Sequence, residues 1–202
     1  DAHNIMIATR QGQAITFSPT SFRSMGRGTH GVRGIRLENG DSVIGMIMPE
    51  AGQMVLTITE HGFAKRTEPA EYRVTNRGGK GVRNVQITEK TGSAVSVAAV
   101  LPDYDLMITS LQGQVIRIEV DSIRVTGRDA QGVMAIRLSE DDSVMDAVAL
   151  PSIEDVEKAS TESQTAFAEA TEASVIGDEP DESVDTSSSS DPIPPEDSQK
   201  SS

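Results

Sequence analysis

Short apolar runs separated by polar turns fill the first three quarters of the chain, and they come in pairs. Ile5-Met6-Ile7-Ala8-Thr9 and Gln13-Ala14-Ile15-Thr16-Phe17 are joined by Arg10-Gln11-Gly12, a Gly-containing connection of the kind that closes a β-hairpin. The pairing returns at Met54–Thr59 with Phe63–Thr67, and at Leu106–Ser110 with Gln114–Glu119. After each hairpin comes an irregular stretch (Ser18–Gly26, Glu68–Asn76, Val120–Gly127), then a third run (Val32–Leu37, Val82–Thr88, Val133–Leu138) and a fourth (Ser42–Met48, Ala94–Leu101, Ser143–Leu150). The third and fourth runs of the first unit are separated by Glu38-Asn39-Gly40-Asp41, and Asn-Gly is a strong tight-turn dipeptide.

The register of the units is regular. Gly12, Gly62 and Gly113, spaced by 50 and 51 residues, are each followed 19 residues later by a second glycine, Gly31, Gly81 or Gly132. Each second glycine is followed by Val, preceded four residues earlier by Arg27, Arg77 or Arg128, and followed four residues later by Ile35, Val85 or Ile136. Four short strands per unit and no convincing helix predict an all-β, propeller-like array of four-stranded blades. The units run over about 1–50, 51–101 and 102–150. A blade packed between two neighbours is buried on both faces, which blurs strict alternation. Three units fall short of a closed ring of roughly four to eight blades. The chain opens at Asp1 with the repeat already running, and so reads as part of a longer protein with further units upstream.

From Pro151 the pattern stops. Ser, Glu, Asp, Thr and Pro dominate, as in Ser187–Ser190 and Asp191-Pro192-Ile193-Pro194-Pro195, and such a segment has too little apolar surface to offset its ordering entropy. Residues 151–202 are expected to form a disordered acidic tail, with a transient helix over Glu157–Ala173. Charge divides the same way: residues 1–150 hold 16 Lys+Arg and 17 Asp+Glu, and residues 151–202 hold 2 and 14, making up the 18 and 31 of the whole chain. Nearly all of the −13 net charge therefore belongs to the tail, and the repeats are close to neutral.

Against that neutral background the basic loops stand out. Asn76-Arg77-Gly78-Gly79-Lys80-Gly81-Val82 sets two cations on three glycines, which lets the backbone adopt positive φ and bring N–H groups and side chains to an anion. Read alone, it is equally a Gly-rich surface turn; the recurrence at Arg27–Gly31 and Arg128–Gly132 favours the anion. If blades radiate about an axis, equivalent loops share one rim, and that rim is basic. The candidate contacts are Arg27, Arg33, Lys65, Arg66, Arg73, Arg77, Lys80, Arg83, Arg124 and Arg128, with Arg10, Arg23, Arg36, Arg117 and Arg137 nearby. Such a rim suits double-stranded DNA, held through phosphates and deformability more than base edges. Four Phe and two Tyr are too few for a row of base-stacking platforms. The alternative is that these arginines are solvated partners of Glu60, Glu68, Glu71, Glu119 and Asp121.

Other chemistry is poorly supported. Without Cys there is neither a disulfide framework nor a thiolate metal site, and His3, His30 and His61 lack metal-ligand spacing. Asp103 and Asp105 beside Tyr104, and the cluster Glu140-Asp141-Asp142, fall where turns and solvated carboxylates are expected. No catalytic set is evident, and no apolar run approaches the length of a membrane span. A soluble, cytoplasmic, nucleoid-associated protein is the default expectation.

Residues 1–150 resemble the C-terminal domain of the bacterial DNA gyrase A protein, part of a type II topoisomerase. The resemblance lies in Glu60-His61-Gly62-Phe63-Ala64-Lys65-Arg66-Thr67, Ala70-Glu71-Tyr72-Arg73, Asn76–Val82, Ile108-Thr109, Gly127–Val133 and Ile136-Arg137-Leu138, followed by the acidic tail common in that family. It implies a six-bladed β-pinwheel of which these are the last three blades, wrapping DNA for ATP-dependent negative supercoiling. It further implies an A2B2 assembly whose B subunit uses ATP and Mg2+, with no cofactor in this stretch and no membrane partner. The family's basic box reads Gln-Arg-Arg-Gly-Gly-Lys-Gly and lies in the first blade. Thr75–Gly81 matches only its last five positions, which marks a repeat-equivalent loop. The cleavage tyrosine belongs to a region outside this stretch, and neither Tyr72 nor Tyr104 is given that role. The alternatives are the equivalent domain of topoisomerase IV and a propeller-type protein-interaction module.

Overall fold

The computed structural model describes residues 3–152, and the expected tail, with its transient helix over Glu157–Ala173, lies outside them apart from Pro151 and Ser152. Each unit opens with the expected hairpin. In chain order the strands are β1 (Ile5–Thr9), β2 (Gln13–Phe17), β3 (Val43–Ile47), β4 (Met54–Thr59), β5 (Phe63–Thr67), β6 (Val82–Arg83), β7 (Ala94–Val100), β8 (Tyr104–Ser110), β9 (Val115–Glu119), β10 (Val133–Met134) and β11 (Val144–Pro151). Helical structure among the described residues is confined to single 3-10 turns at Pro19–Ser21, Pro69–Glu71 and Val120–Ser122. Proline opens the first two, where its fixed φ suits the first helical position.

The hairpins form because apolar and β-branched residues pair across tight turns. In the first, Ile5 stands opposite Phe17 and Ile7 opposite Ile15; in the second, Leu56 stands opposite Arg66 and Ile58 opposite Ala64. The fourth run of each unit returns antiparallel to the first, so Met6 meets Ile47, Leu56 meets Ala98 and Met107 meets Val148. The last sheet extends to Pro151, which pairs with Tyr104.

The third run departs from expectation. Instead of completing its own unit it crosses to the preceding hairpin: Val82 and Arg83 pair with Ala14 and Gln13, and Val133 and Met134 pair with Ala64 and Phe63. The sheets therefore read β3-β1-β2-β6, β10-β5-β4-β7 and β11-β8-β9. Only two residues of each crossing run are strand, far fewer than Val82–Thr88 and Val133–Leu138 suggested. Among the described residues no hairpin precedes β1 to receive Val32–Leu37, which forms no strand, and no third run closes on β9.

The paired glycines of the repeat make this crossing possible. A Cβ on Gly81 would lie 2.2 Å from the Ala14 carbonyl oxygen, and one on Gly132 would lie 2.6 Å from that of Ala64. Both residues have φ above +80°, so backbone docks on backbone where only glycine fits. The hairpin glycines grip from the other side: Gly12 O accepts from Asn84 N (2.7 Å) and Val85 N, and Gly62 O accepts from Ala135 N (2.9 Å) and Ile136 N. Consecutive repeats are thus interlocked.

The core follows the interlock. Leu56, Ile58, Val100, Leu106, Ile108, Val120 and Ile136 fill the space between the second and third sheets, and Met6, Val55, Tyr72 and Val97 fill that between the first and second. A buried polar chain crosses the second space: the Tyr72 hydroxyl donates to Asn84 Oδ1 at 2.6 Å, and Asn84 Nδ2 donates to Thr57 Oγ1 at 3.1 Å. Burial, more than any neighbouring charge, drives the Tyr72 pKa well above its ordinary value, so the phenol stays a donor.

Candidate nucleic-acid interface

The second and third basic loops each sit on the third run of the repeat before them. In the second loop, Arg77 Nη1 donates to the Arg33 carbonyl at 3.3 Å and Arg77 Nε to that of Ser21 at 3.4 Å. Backbone bonds join the same segments: Gly78 N to Gly34 O at 2.6 Å and Arg36 N to Gly79 O at 2.8 Å. The third loop repeats the device, with Arg128 Nη1 on the Arg83 carbonyl at 2.8 Å and Gln86 N on Ala130 O at 3.3 Å. Arg33 and Arg83 are counterparts, as are Arg77 and Arg128, so the loops are seated in series, each on its predecessor. A guanidinium has five N–H donors. These seats use one or two of them and leave capacity for an anion.

Around this series lie exposed cations. Arg27, Arg33, Arg73, Arg83 and Arg124 are exposed, as are Arg23, Arg36 and Arg137, and none of them makes an ion pair among the described residues. Two repeat positions carry arginine in all three units: Arg23, Arg73 and Arg124 follow the 3-10 turn, and Arg27, Arg77 and Arg128 open the loop. Lys80 is exposed and pairs with Glu38 at 2.9 Å. An exposed pair of this kind contributes roughly 0.2–1 kcal/mol, little enough for a phosphate to displace. Glu38 was not among the acidic partners read from the sequence. Of those that were, Glu60 pairs with Arg10, Asp121 pairs with Arg66, and Glu71 accepts from the Arg128 backbone N–H at 2.8 Å.

Lys65 and Arg66 are placed otherwise than the sequence suggested. Both lie in β5 and point into the protein, Lys65 with no exposed surface and Arg66 7% exposed. Lys65 Nζ donates to Thr67 Oγ1 (3.1 Å) and to the carbonyls of Gly127 (3.0 Å) and Arg128. Arg66 Nε donates to the Ile123 carbonyl at 2.6 Å, and its Nη2 to the carbonyl and carboxylate of Asp121. Thr67 Oγ1 adds a bond to Thr126 O at 3.0 Å. Three consecutive side chains thus hold residues 121–128 from beneath, and their role is to position the third loop. Burial pulls the Lys65 ammonium down to about 8, against the Glu71 and Asp129 carboxylates that raise it. The signal was present in the repeat: the counterparts of Lys65 are the apolar Ile15 and Ile116, which mark the position as facing inward.

The carboxylates build structure. Asp105 lies within β8, 7% exposed, and pairs with Arg117; it is not the solvated turn residue expected. Asp142 does end a turn. The neighbouring Ser110 side chain above all, then the backbone N–H groups of Gln112 (3.1 Å) and Ser143 (2.9 Å), hold it below the usual carboxylate range. Asp41 stands at the corresponding turn of the first unit, accepting from Gln11 N (2.9 Å) and Ser42 N (2.8 Å). Among the described residues no group of three or more His, Cys, Asp or Glu could hold a metal. Phe17, Phe63 and Tyr72 are buried and Phe22 and Tyr104 half-buried, so among the described residues no fully exposed ring accompanies the arginines. What the described surface offers is exposed guanidinium groups recurring at equivalent repeat positions, beside loops bonded backbone to backbone, a chemistry suited to a polyanion and indifferent to base identity.

Comparison with known proteins bears on this surface. Residues 3–49, 53–100 and 104–151 match the family described as DNA gyrase C-terminal domain, beta-propeller. The chain is 58% identical over 163 residues to the DNA gyrase A protein of Fibrobacter succinogenes, covering 81% of this chain and 18% of that protein. It is 42% identical over 152 residues to the DNA gyrase A protein of Deinococcus deserti, covering 73% and 19%. It thus spans about a fifth of the length of the curated relatives it matches. A solved DNA gyrase A C-terminal domain superposes with a TM-score of 0.68 at 24% identity, covering 74% of this chain and 51% of that one. The C-terminal domain of a DNA topoisomerase IV gives 0.73 at 17%, covering 82% and 52%. At those identities the likeness is one of fold.

Proposed function

This chain belongs to the family of DNA gyrase C-terminal domains, and from that premise we propose that its row of arginines binds double-stranded DNA through the phosphate backbone and wraps it. The observation that carries this is the paired seating of Arg77 on the Arg33 carbonyl and Arg128 on that of Arg83. It sets the second and third loops in series, which supports arginines recurring along one edge at the pitch of the repeat. Phosphates neutralised along that edge release condensed counterions, and a curved row of such contacts favours bent duplex.

In the longer protein, the wrapped DNA is presented for strand passage in ATP-dependent negative supercoiling by an A2B2 type II topoisomerase. Strand cleavage, and the ATP and Mg2+ chemistry of the B subunit, lie in other parts of that assembly, which acts in the cytoplasm on the nucleoid. The 58% identity to a protein named for the gyrase A chain favours gyrase over topoisomerase IV, whose likeness here is in fold alone.

The test is the salt dependence of duplex binding by wild type and by Arg73→Ala with Arg124→Ala. Both side chains are exposed and unpaired among the described residues, so the variant keeps its fold. Two lost phosphate contacts lower the slope of log affinity against log salt by about 1.8, equally on unrelated sequences. An unchanged slope with intact folding would remove these residues from the interface, and a wild type with no salt dependence would overturn DNA binding itself.

A further inference from the structure

The residue four places after the hairpin glycine is Thr16 in the first repeat, Arg66 in the second and Arg117 in the third. In the second repeat it reaches across to the following 3-10 turn, where Arg66 donates to the carbonyls of Asp121 (2.9 Å) and Ile123 (2.6 Å). In the third it turns back to Asp105. In the first the side chain is too short to do either. The counterparts of Asp121 and Ile123 are Ala70 and Tyr72, and among the described residues no hydrogen bond is accepted by either carbonyl. Thr16 is 8% exposed, and its buried hydroxyl has no partner.

A cavity of about 320 Å³ occupies the place of the missing side chain, bordered by Met6, Thr16, Pro69, Ala70, Tyr72 and Arg73 among others. That is some tenfold the roughly 30 Å³ share of one water in the liquid, so a single bridging water does not fill it. Its lining is that of the Arg66 site without the arginine: Ala70 and Tyr72, whose carbonyls accept no hydrogen bond among the described residues, the unpartnered Thr16 hydroxyl, and Met6 and Pro69, which suit an aliphatic stem.

We propose that this cavity between the first hairpin and the second 3-10 turn is a binding site for a guanidinium group on a short aliphatic chain. The shared chemistry covers an arginine side chain of a partner and a small alkylguanidine. The guest donates to the Ala70 and Tyr72 carbonyls and to the Thr16 hydroxyl oxygen, with its stem along Met6 and Pro69. Arg73 at the border is the counterpart of Arg124, whose carbonyl accepts from the Arg66 backbone at 3.2 Å, so a guanidinium at this depth coexists with an arginine there. The Asp121 carboxylate has no counterpart at Ala70. Binding is therefore weaker than the intramolecular contact of the second repeat, and selective for the planar, multi-donor head over a point charge.

The experiment titrates the full 202-residue chain with agmatine and, separately, with acetyl-Gly-Arg-Gly-amide, following backbone amide shifts by NMR. Saturable shifts at Thr16 and at Ala70–Val74 are expected, with much weaker ones for n-butylammonium and n-butylurea. Binding of agmatine alone marks a small-molecule ligand, and binding of both marks an arginine side chain. Thr16→Arg, which supplies the guanidinium from the chain itself, is expected to abolish the shifts and raise the melting temperature. Shifts confined to exposed carboxylates, or equally strong binding of n-butylammonium, would overturn the site. So would persistence of the shifts in Thr16→Arg. The wild-type titration decides by itself if that variant does not fold: no response at Thr16 and Tyr72 is a refutation.

Discussion

Replacing Lys65 by Ile, the residue at both counterpart positions, separates the cost of burying an ammonium from the benefit of holding a loop. The lysine has no exposed surface, and its pKa is lowered from 10.5 to about 8, chiefly by burial. A depressed folded-state pKa means that the unfolded chain binds more protons between the two values, so stability rises with pH across that window. The contribution is complete above 10.5 and is lost as pH falls through 8. At about 1.4 kcal/mol per pKa unit, moving from about pH 7 to pH 10 stabilises the wild type by roughly 2–3 kcal/mol through this group alone. Other lysines titrate too, so the quantity to measure is the difference from Lys65→Ile in urea unfolding at the two pH values. At neutral pH the variant escapes the burial penalty but leaves the Gly127 and Arg128 carbonyls without their donor, at about 1–3 kcal/mol per orphaned group. The two effects nearly cancel. We expect similar stabilities at about pH 7, a wild-type advantage at about pH 10, and faster amide exchange over residues 126–130 in the variant at either pH. If both proteins change stability in parallel between the two pH values, Lys65 is not a buried cation and the account of the third loop fails.

Gly81→Ala should cost more than the roughly 1–2 kcal/mol of left-handed backbone strain, because its Cβ would also meet the Ala14 carbonyl at 2.2 Å. Gly31→Ala, at a φ of +69° with open space around it, should cost the strain alone. Denaturant unfolding of the two variants separates these terms, and equal losses would deny the backbone contact. For the tail, a chain ending at Ser152 should bind duplex more tightly than the full chain at low salt and converge with it at high salt. The strongly acidic segment competes with phosphate for the same arginines at high effective concentration. Equal affinities at low salt would leave the tail without that role.

The hairpins were legible because a pair of short β-prone apolar runs joined by a glycine turn is a local property, and β1, β2, β4 and β5 begin and end where the sequence places them. The third runs were visible as runs but not as crossings. Nothing within Val82–Thr88 says that its partner is Gln13–Ala14 and not a strand of its own unit; that choice rests on the Gly81 backbone meeting the Ala14 carbonyl. The exposed arginines could be read from composition and recurrence. Lys65 and Arg66 could not be read that way, because a cation in a strand looks like a surface residue; the counterparts Ile15 and Ile116 betray Lys65, whereas Thr16 and Arg117 say nothing of Arg66. The Thr16 cavity is invisible to pattern altogether. It shows only when the same repeat position is followed through all three sheets.

The interlock also sets a timetable for biosynthesis. The first sheet is not finished when its own hairpin and return strand have left the ribosome, since its last strand, Val82–Arg83, belongs to the next repeat. At roughly 5–20 residues per second, the three dozen or so residues between Ile47 and Arg83 take on the order of 2–7 seconds to make. Throughout that time the Gln13–Phe17 edge stands open to any passing strand. The same wait recurs for the second sheet, which is completed only by Val133–Met134. A nascent chain that pauses inside a repeat therefore presents a sticky edge even though every residue of the waiting hairpin is correctly folded. Codon-level slowing just after Ile47 should raise aggregation, whereas slowing after Met134, with both crossings made, should not.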